Sequence, residues 1–124
     1  MARDRAHRIY PAIVFVAGIA LYAASLGNGF VYDDFPQIVE NVWIRDFRNL
    51  PKVFFSSAWG FQEGVVTNYY RPVMNAVFTL EYALFGLKPW AFHALNAVVH
   101  AINATLLYFI ARRVLSDDTH STAP

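Results

Sequence analysis

The chain has 124 residues, 56% of them hydrophobic and 17% aromatic, with a mean hydropathy of +0.31. That is too apolar for a small soluble domain and reads as a membrane protein. Ten basic residues against nine acidic ones leave a formal charge of +1 with no basic patch, which argues against a nucleic-acid partner; the absence of cysteine removes disulfides, thiolate metal sites and cysteine nucleophiles.

Residues 1–8 hold Arg3, Arg5, His7 and Arg8 against the single acid Asp4, a basic flank of the kind that stays cytoplasmic. Residues 9–26 carry no charge and would rise about 27 Å as a helix, close to the hydrocarbon thickness of a bilayer. This is transmembrane helix 1. A basic start and the small residues Ala23, Ala24 and Ser25 also fit a cleaved signal peptide, although the apolar run is longer than a usual signal core. Either way the segment that follows faces periplasm, lumen or exterior.

Residues 27–89 form a large outer loop that opens with Gly27-Asn28-Gly29 and is broken by Pro36, Pro51, Gly60 and Gly64. Phe47, Phe54, Phe55, Trp59 and Phe61 make it too aromatic for a disordered linker. Short amphipathic helices are expected near 36–42 and 50–56, lying along the bilayer surface. Trp43 and Trp59 suit the lipid interface, or equally packing within a bundle. From about 70 to 87 the apolar positions Val73, Val77, Leu80, Leu84 and Leu87 share one helical face and Asn75, Thr79, Tyr82 and Gly86 the opposite one. With Asn75 and Glu81 inside it, this segment is expected at the interface rather than across it.

Residues 90–111 are long enough to cross and end in Arg112-Arg113, which places both basic ends on the cytoplasmic side after two crossings. Residues 112–124 are then a cytoplasmic tail. Within transmembrane helix 2, His93, Asn96, His100 and Asn103 follow at spacings that put all four on one face. Polar groups in hydrocarbon are costly, so this stripe should meet other helices or a polar cavity. Asn96, His100 and Asn103 read as a helix-packing stripe, and His93, near the outer end, can instead meet a ligand or a lipid phosphate. No acid shares the stripe, so a metal site there is a weak reading. Asn103-Ala104-Thr105 matches a glycosylation sequon but lies inside the span.

Two further features carry chemistry. Arg71, just before Pro72 at the start of the amphipathic helix, can clamp a phosphate bidentately or pair with loop acids and headgroups. Asp33 and Asp34 are neighbours, and in an extended segment they point apart, so they are poorly placed as facing carboxylates. One of them can act as a single base while the other caps the following turn, binds metal or holds the loop; a solvated turn is the plain alternative.

The ordered set Asn28-Gly29-Phe30-Val31-Tyr32-Asp33-Asp34, Ile38, Asn41, Tyr70-Arg71-Pro72, Gly86, His93, Asn96, His100 and Asn103 resembles the start of the GT-C membrane glycosyltransferases. It looks most like the protein O-mannosyltransferase-like branch whose members often carry tetratricopeptide repeats, over roughly 28–114. The resemblance implies an all-α membrane fold, a sugar donor on a polyprenyl phosphate, and an acceptor hydroxyl on protein, glycan or lipid. It also implies Asp33 as the catalytic base, with Asp34 where related mannosyltransferases have glutamate; the residue-level reading of Arg71 and His93 then puts them near the donor phosphate. No organic cofactor is implied, and a divalent metal is left open. The family's fold needs many more spans, so the expectation is an N-terminal piece, inactive by itself, whose partners are membrane lipid, the polyprenyl-phosphate donor and further transmembrane helices of the same or another chain. The competing expectation is a non-enzymatic two-span adaptor whose polar stripe recruits a partner helix.

Overall fold

The computed structural model describes residues 2–65 and 67–121, with side chains over 9–65 and 67–115. The side chains of the basic flank at 1–8 and of the tail at 116–124 lie outside the described residues. The protein is an all-α membrane protein, and among the described residues there is no strand. Two stretches are long and apolar enough to cross a bilayer, Ile9–Gly27 with 19 residues and Pro89–Leu115 with 27. Only 6% and 11% of their most apolar windows are buried within the chain. A soluble core helix would hide such surface; here it is left for lipid or for other helices.

The chain divides into two compact units, one of residues 1–27 with 93–124 and one of residues 28–92. The first contains helix α1 (Ala2–Tyr22), which tightens into a 3₁₀ turn over Ala23–Gly27, and most of helix α4 (Pro89–Ser121). Pro11 is accommodated inside α1. The two helices meet at small residues: a Cβ on Gly18 would lie 2.9 Å from the Ala101 Cα, and Ala97 and Ala101 are buried. Without a hydrophobic driving force between helices in lipid, such backbone approach is what gives packing contact. One turn along from Gly18, the Tyr22 ring sits 4.6 Å from that of His100.

The second unit is built of short turns around one longer helix. A π-type turn at Phe35–Val39 is followed by 3₁₀ turns at Val42–Arg45 and Phe47–Asn49. Asn41 caps the first of these 3₁₀ turns by accepting the Trp43 N–H at 3.0 Å, and Asp46 caps the next by accepting the Arg48 N–H at 2.8 Å. The Arg48 guanidinium also donates to the Asp46 carboxylate, which holds that carboxyl below its ordinary pKa. Helix α2 (Leu50–Phe55) begins with Pro51 in its first turn, where the missing N–H leaves no helical bond unmade. Helix α3 (Pro72–Phe85) starts the same way at Pro72 and stops at Gly86, whose φ of +64° favours glycine. Ile38, Ile44 and Phe92 form the centre of this unit, with Phe30, Phe78 and Tyr82 packed against them.

Helix α3 is inverted relative to a soluble surface helix. Asn75, Thr79 and Glu81 are buried, while Val73, Leu80 and Leu84 are more than half exposed. The polar side is turned into the unit and the apolar side is presented outward, the arrangement a helix takes when its outer neighbour is lipid.

Candidate functional site

Three stretches of the second unit converge on one cavity of about 220 Å³, lined by Asp33, Gln37, Ala58, Trp59, Tyr69, Arg71 and Met74. Asp33 and Gln37 come from the turn after Phe30 and lie one helical step apart, the Gln37 N–H donating to the Asp33 C=O at 3.0 Å. Arg71 and Met74 come from the start of α3, with the Asn75 N–H donating to the Arg71 C=O at 3.2 Å. Ala58, Trp59 and Tyr69 come from the intervening loop, which the Ala58 N–H closes by donating to the Tyr69 C=O at 2.6 Å.

The two aspartates have separate tasks. Asp34 folds back on the chain: its Oδ2 accepts the Val31 N–H at 2.9 Å while its own N–H donates to the Val31 C=O at 2.9 Å. It holds the turn and does not line the cavity. Asp33 does line it, exposed, and among the described residues its carboxylate makes no side-chain hydrogen bond to the loop. The residue before it, Tyr32, has φ of +44° and is 93% exposed. A non-glycine residue held in that region stores strain, and such residues collect at functional turns.

The Tyr70-Arg71-Pro72 segment divides in the same way. Tyr70 is a tether, its hydroxyl donating to the Phe54 C=O at 2.8 Å and so satisfying a carbonyl at the end of α2. Pro72 starts α3. Arg71 faces the cavity, with its guanidinium carbon 5.1 Å from the centre of the Tyr69 ring.

Beneath the cavity, α3 anchors the loop. The Asn75 amide donates to the Ala58 C=O at 3.4 Å, and the Thr79 hydroxyl donates to the Asn75 C=O at 2.8 Å. Asn75 Oδ1 and Glu81 Oε1 are buried without a partner among the described residues. Burial raises the Glu81 carboxyl to a pKa of about 7.

The polar stripe of α4 belongs to the other unit. His93 is partly buried, His100 packs on Tyr22, and Asn96 and Asn103 are exposed beside Val98, Val99 and Ile102. The buried face of α4 there is Ala97 and Ala101 instead. Among the described residues no group of three or more His, Asp or Glu side chains comes together as metal ligands.

Sequence reasoning missed Gln37, Tyr69 and Met74 as cavity residues and assigned Trp59 only to lipid or packing. For two of them a signal was present. Gln37 is four residues after Asp33 and Met74 three after Arg71, so a single helical turn at each place brings them to the same side.

No family model matches the chain, and no solved structure matches it. Among curated proteins it is similar to protein O-mannosyl-transferase TMTC2 of Mus musculus, 30% identical over 102 residues that make up 81% of this chain and 12% of that protein. Protein O-mannosyl-transferase TMTC3 of Mus musculus is 35% identical over 98 residues, 77% of this chain and 11% of its own length. Protein O-mannosyl-transferase Tmtc2 of Drosophila melanogaster is 31% identical over 99 residues, again 77% of this chain and 11% of its own. The chain thus spans about 12% of the length of the relatives it matches.

Proposed function

Taking as premise a chain related to the protein O-mannosyl-transferases over about four fifths of its length, we propose that it supplies part of the active site of a GT-C membrane glycosyltransferase. The reaction moves a mannosyl unit from a polyprenyl-phosphate donor to an acceptor hydroxyl. Asp33 acts as general base: it takes the hydroxyl proton as the acceptor oxygen bonds to the anomeric carbon, and the phosphate leaves with the electrons of the broken C–O bond. Phosphate needs no strong general acid to depart, so one base in the outer segment suffices. Arg71 holds the phosphate, and Asp34 keeps the turn that aims Asp33. His93 contacts a ligand or a lipid phosphate near the outer end of its span, while Asn96, His100 and Asn103 meet further transmembrane helices of the same or another chain. Both termini are cytoplasmic and the second unit faces periplasm, lumen or exterior.

One observation carries this reading: Asp33 and Arg71, far apart in sequence and chosen for base and phosphate chemistry, line the same cavity. The test is mannosyl transfer from polyprenyl-phosphate mannose in membranes carrying the protein expressed from its natural reading frame. Asp33→Asn should lower transfer by about 10²-fold or more, and Arg71→Ala should raise the KM for the donor. Full transfer by Asp33→Asn would sink the assignment.

A second reading, the two-span adaptor, draws on the exposed Asn96 and Asn103 within an apolar stretch of α4. It predicts a membrane partner whose co-purification is lost in Asn96→Leu with His100→Leu and is untouched by Asp33→Asn.

A further inference from the structure

The cavity has a side that base and phosphate chemistry leave unused. Trp59 lines it, half-buried, and its backbone is pinned from several directions. The preceding residue, Ala58, is buried, donates to Tyr69 and accepts from the Asn75 amide. The Trp59 C=O accepts the Gln62 N–H at 2.9 Å. The next residue, Gly60, has no room for a side chain, since a Cβ there would lie 3.0 Å from both the Trp43 ring and the Ser56 Cβ. The indole leans on Phe61, ring centres 6.2 Å apart. Trp59 thus keeps part of its surface in a polar cavity beside an acid, an arginine and an amide.

We infer that Trp59, with the Gln37 amide, forms the subsite for the hexopyranose ring in this cavity; the inference rests on the sugar-transfer reading above. A pyranose in its chair form presents a patch of C–H groups on its face and hydroxyls around its rim. It calls for a flat aromatic surface against the face and a few groups at the rim that both donate and accept. The indole is the largest aromatic surface among the lining residues, and Gln37 is their one side-chain amide. Asp33 and Arg71 complete the rim with an acceptor and a fork of donors. The size agrees: about 220 Å³ is below the roughly 300–1,000 Å³ of pockets that enclose drug-sized ligands, and suits one monosaccharide rather than a glycan. Trp59 and Gln37 are therefore sugar-binding residues, and Asn75, which acts through Ala58, is a positioning residue.

The protein, expressed from its natural reading frame and purified in detergent micelles, is titrated with methyl α-D-mannopyranoside and followed by saturation-transfer NMR on the ligand. Trp59→Ala should weaken binding by about fivefold or more and Trp59→Phe by about twofold. Gln37→Ala, which leaves the aromatic packing in place, should weaken it about threefold. Arg71→Ala should weaken mannose 1-phosphate by a larger factor than it weakens this uncharged glycoside. Wild-type affinity in both Trp59→Ala and Gln37→Ala overturns the subsite, as does wild-type protein that shows no saturable binding. The two readings fail separately. Asp33-dependent transfer with Trp59-independent binding removes only the subsite, whereas Trp59-dependent binding with full transfer by Asp33→Asn removes only the base.

Discussion

Glu81 gives the sharpest test of how the second unit is held together. It is 5% exposed, one carboxylate oxygen has no partner among the described residues, and burial has raised its pKa from 4.5 to about 7. The folded state therefore favours the protonated carboxyl. The folded pKa lies above the unfolded one, so this group's contribution is intact below about pH 4.5 and is lost as pH rises through about 7. At about 1.36 kcal/mol per pKa unit the full shift corresponds to about 3 kcal/mol; water and counter-charges near the surface of so small a unit reduce that to about 1–2 kcal/mol. Glu81→Gln keeps the shape and removes the titration. In micelles, thermal unfolding followed by circular dichroism should show the wild type less stable at pH 8.5 than at pH 5. Glu81→Gln should flatten that slope and raise the midpoint at pH 8.5 by several degrees, since each kcal/mol is worth about 4–8 °C in a unit of this size. An unchanged slope in the variant, or a midpoint at pH 8.5 that does not rise, refutes the reasoning.

Two further tests separate structural from chemical roles. Gly18→Ala improves helix propensity by about 1 kcal/mol, yet its Cβ would meet the Ala101 backbone at 2.9 Å; a net loss of about 1–2 kcal/mol is expected from overpacking, read as a lower midpoint, and a stabilised variant would refute the close approach. Asp34→Ala should cost about 1 kcal/mol by releasing the Val31 N–H that its carboxylate accepts, whereas Asp33→Ala should stay within about 0.5 kcal/mol of wild type; equal losses in the two variants would remove the division of labour between the aspartates.

The fold class was legible because length and composition decide it: two uncharged or nearly uncharged runs long enough to cross a bilayer leave few alternatives to helices in lipid. The start of α3 was also marked, by Pro72, which acts through the backbone and needs no tertiary knowledge, whereas the reading to residue 87 ran past Gly86, whose positive φ ends the helix. In the site, chemistry marked Arg71 and the Asp33-Asp34 pair and the family resemblance singled out Asp33, but the sharing of one cavity by Asp33 and Arg71 depends on the loop between them closing at Ala58 and Tyr69. That closure is a backbone bond, and backbone bonds outside regular elements leave no periodic trace in a sequence. The same limit hid which face of α4 packs inside the chain. Its polar residues stand out by type, yet the helices approach at Gly18 and Ala101, where smallness rather than polarity sets the contact.

The inverted α3 ties these observations together. A helix that only had to lie on a bilayer would turn its leucines outward and still leave asparagine and glutamate where water or headgroups could reach them. Here the leucines are exposed but the polar residues are buried, and among the described residues two buried polar atoms go without partners, at a cost of about 1–3 kcal/mol each. Asn75 shows what offsets part of that cost: its amide fixes Ala58, the residue before Trp59, and its N–H fixes the carbonyl of Arg71. One buried side chain and its backbone thus set two walls of the cavity that also contains Asp33. The polar interior of α3 is best understood as the frame of that cavity, while its apolar side is the exposed one.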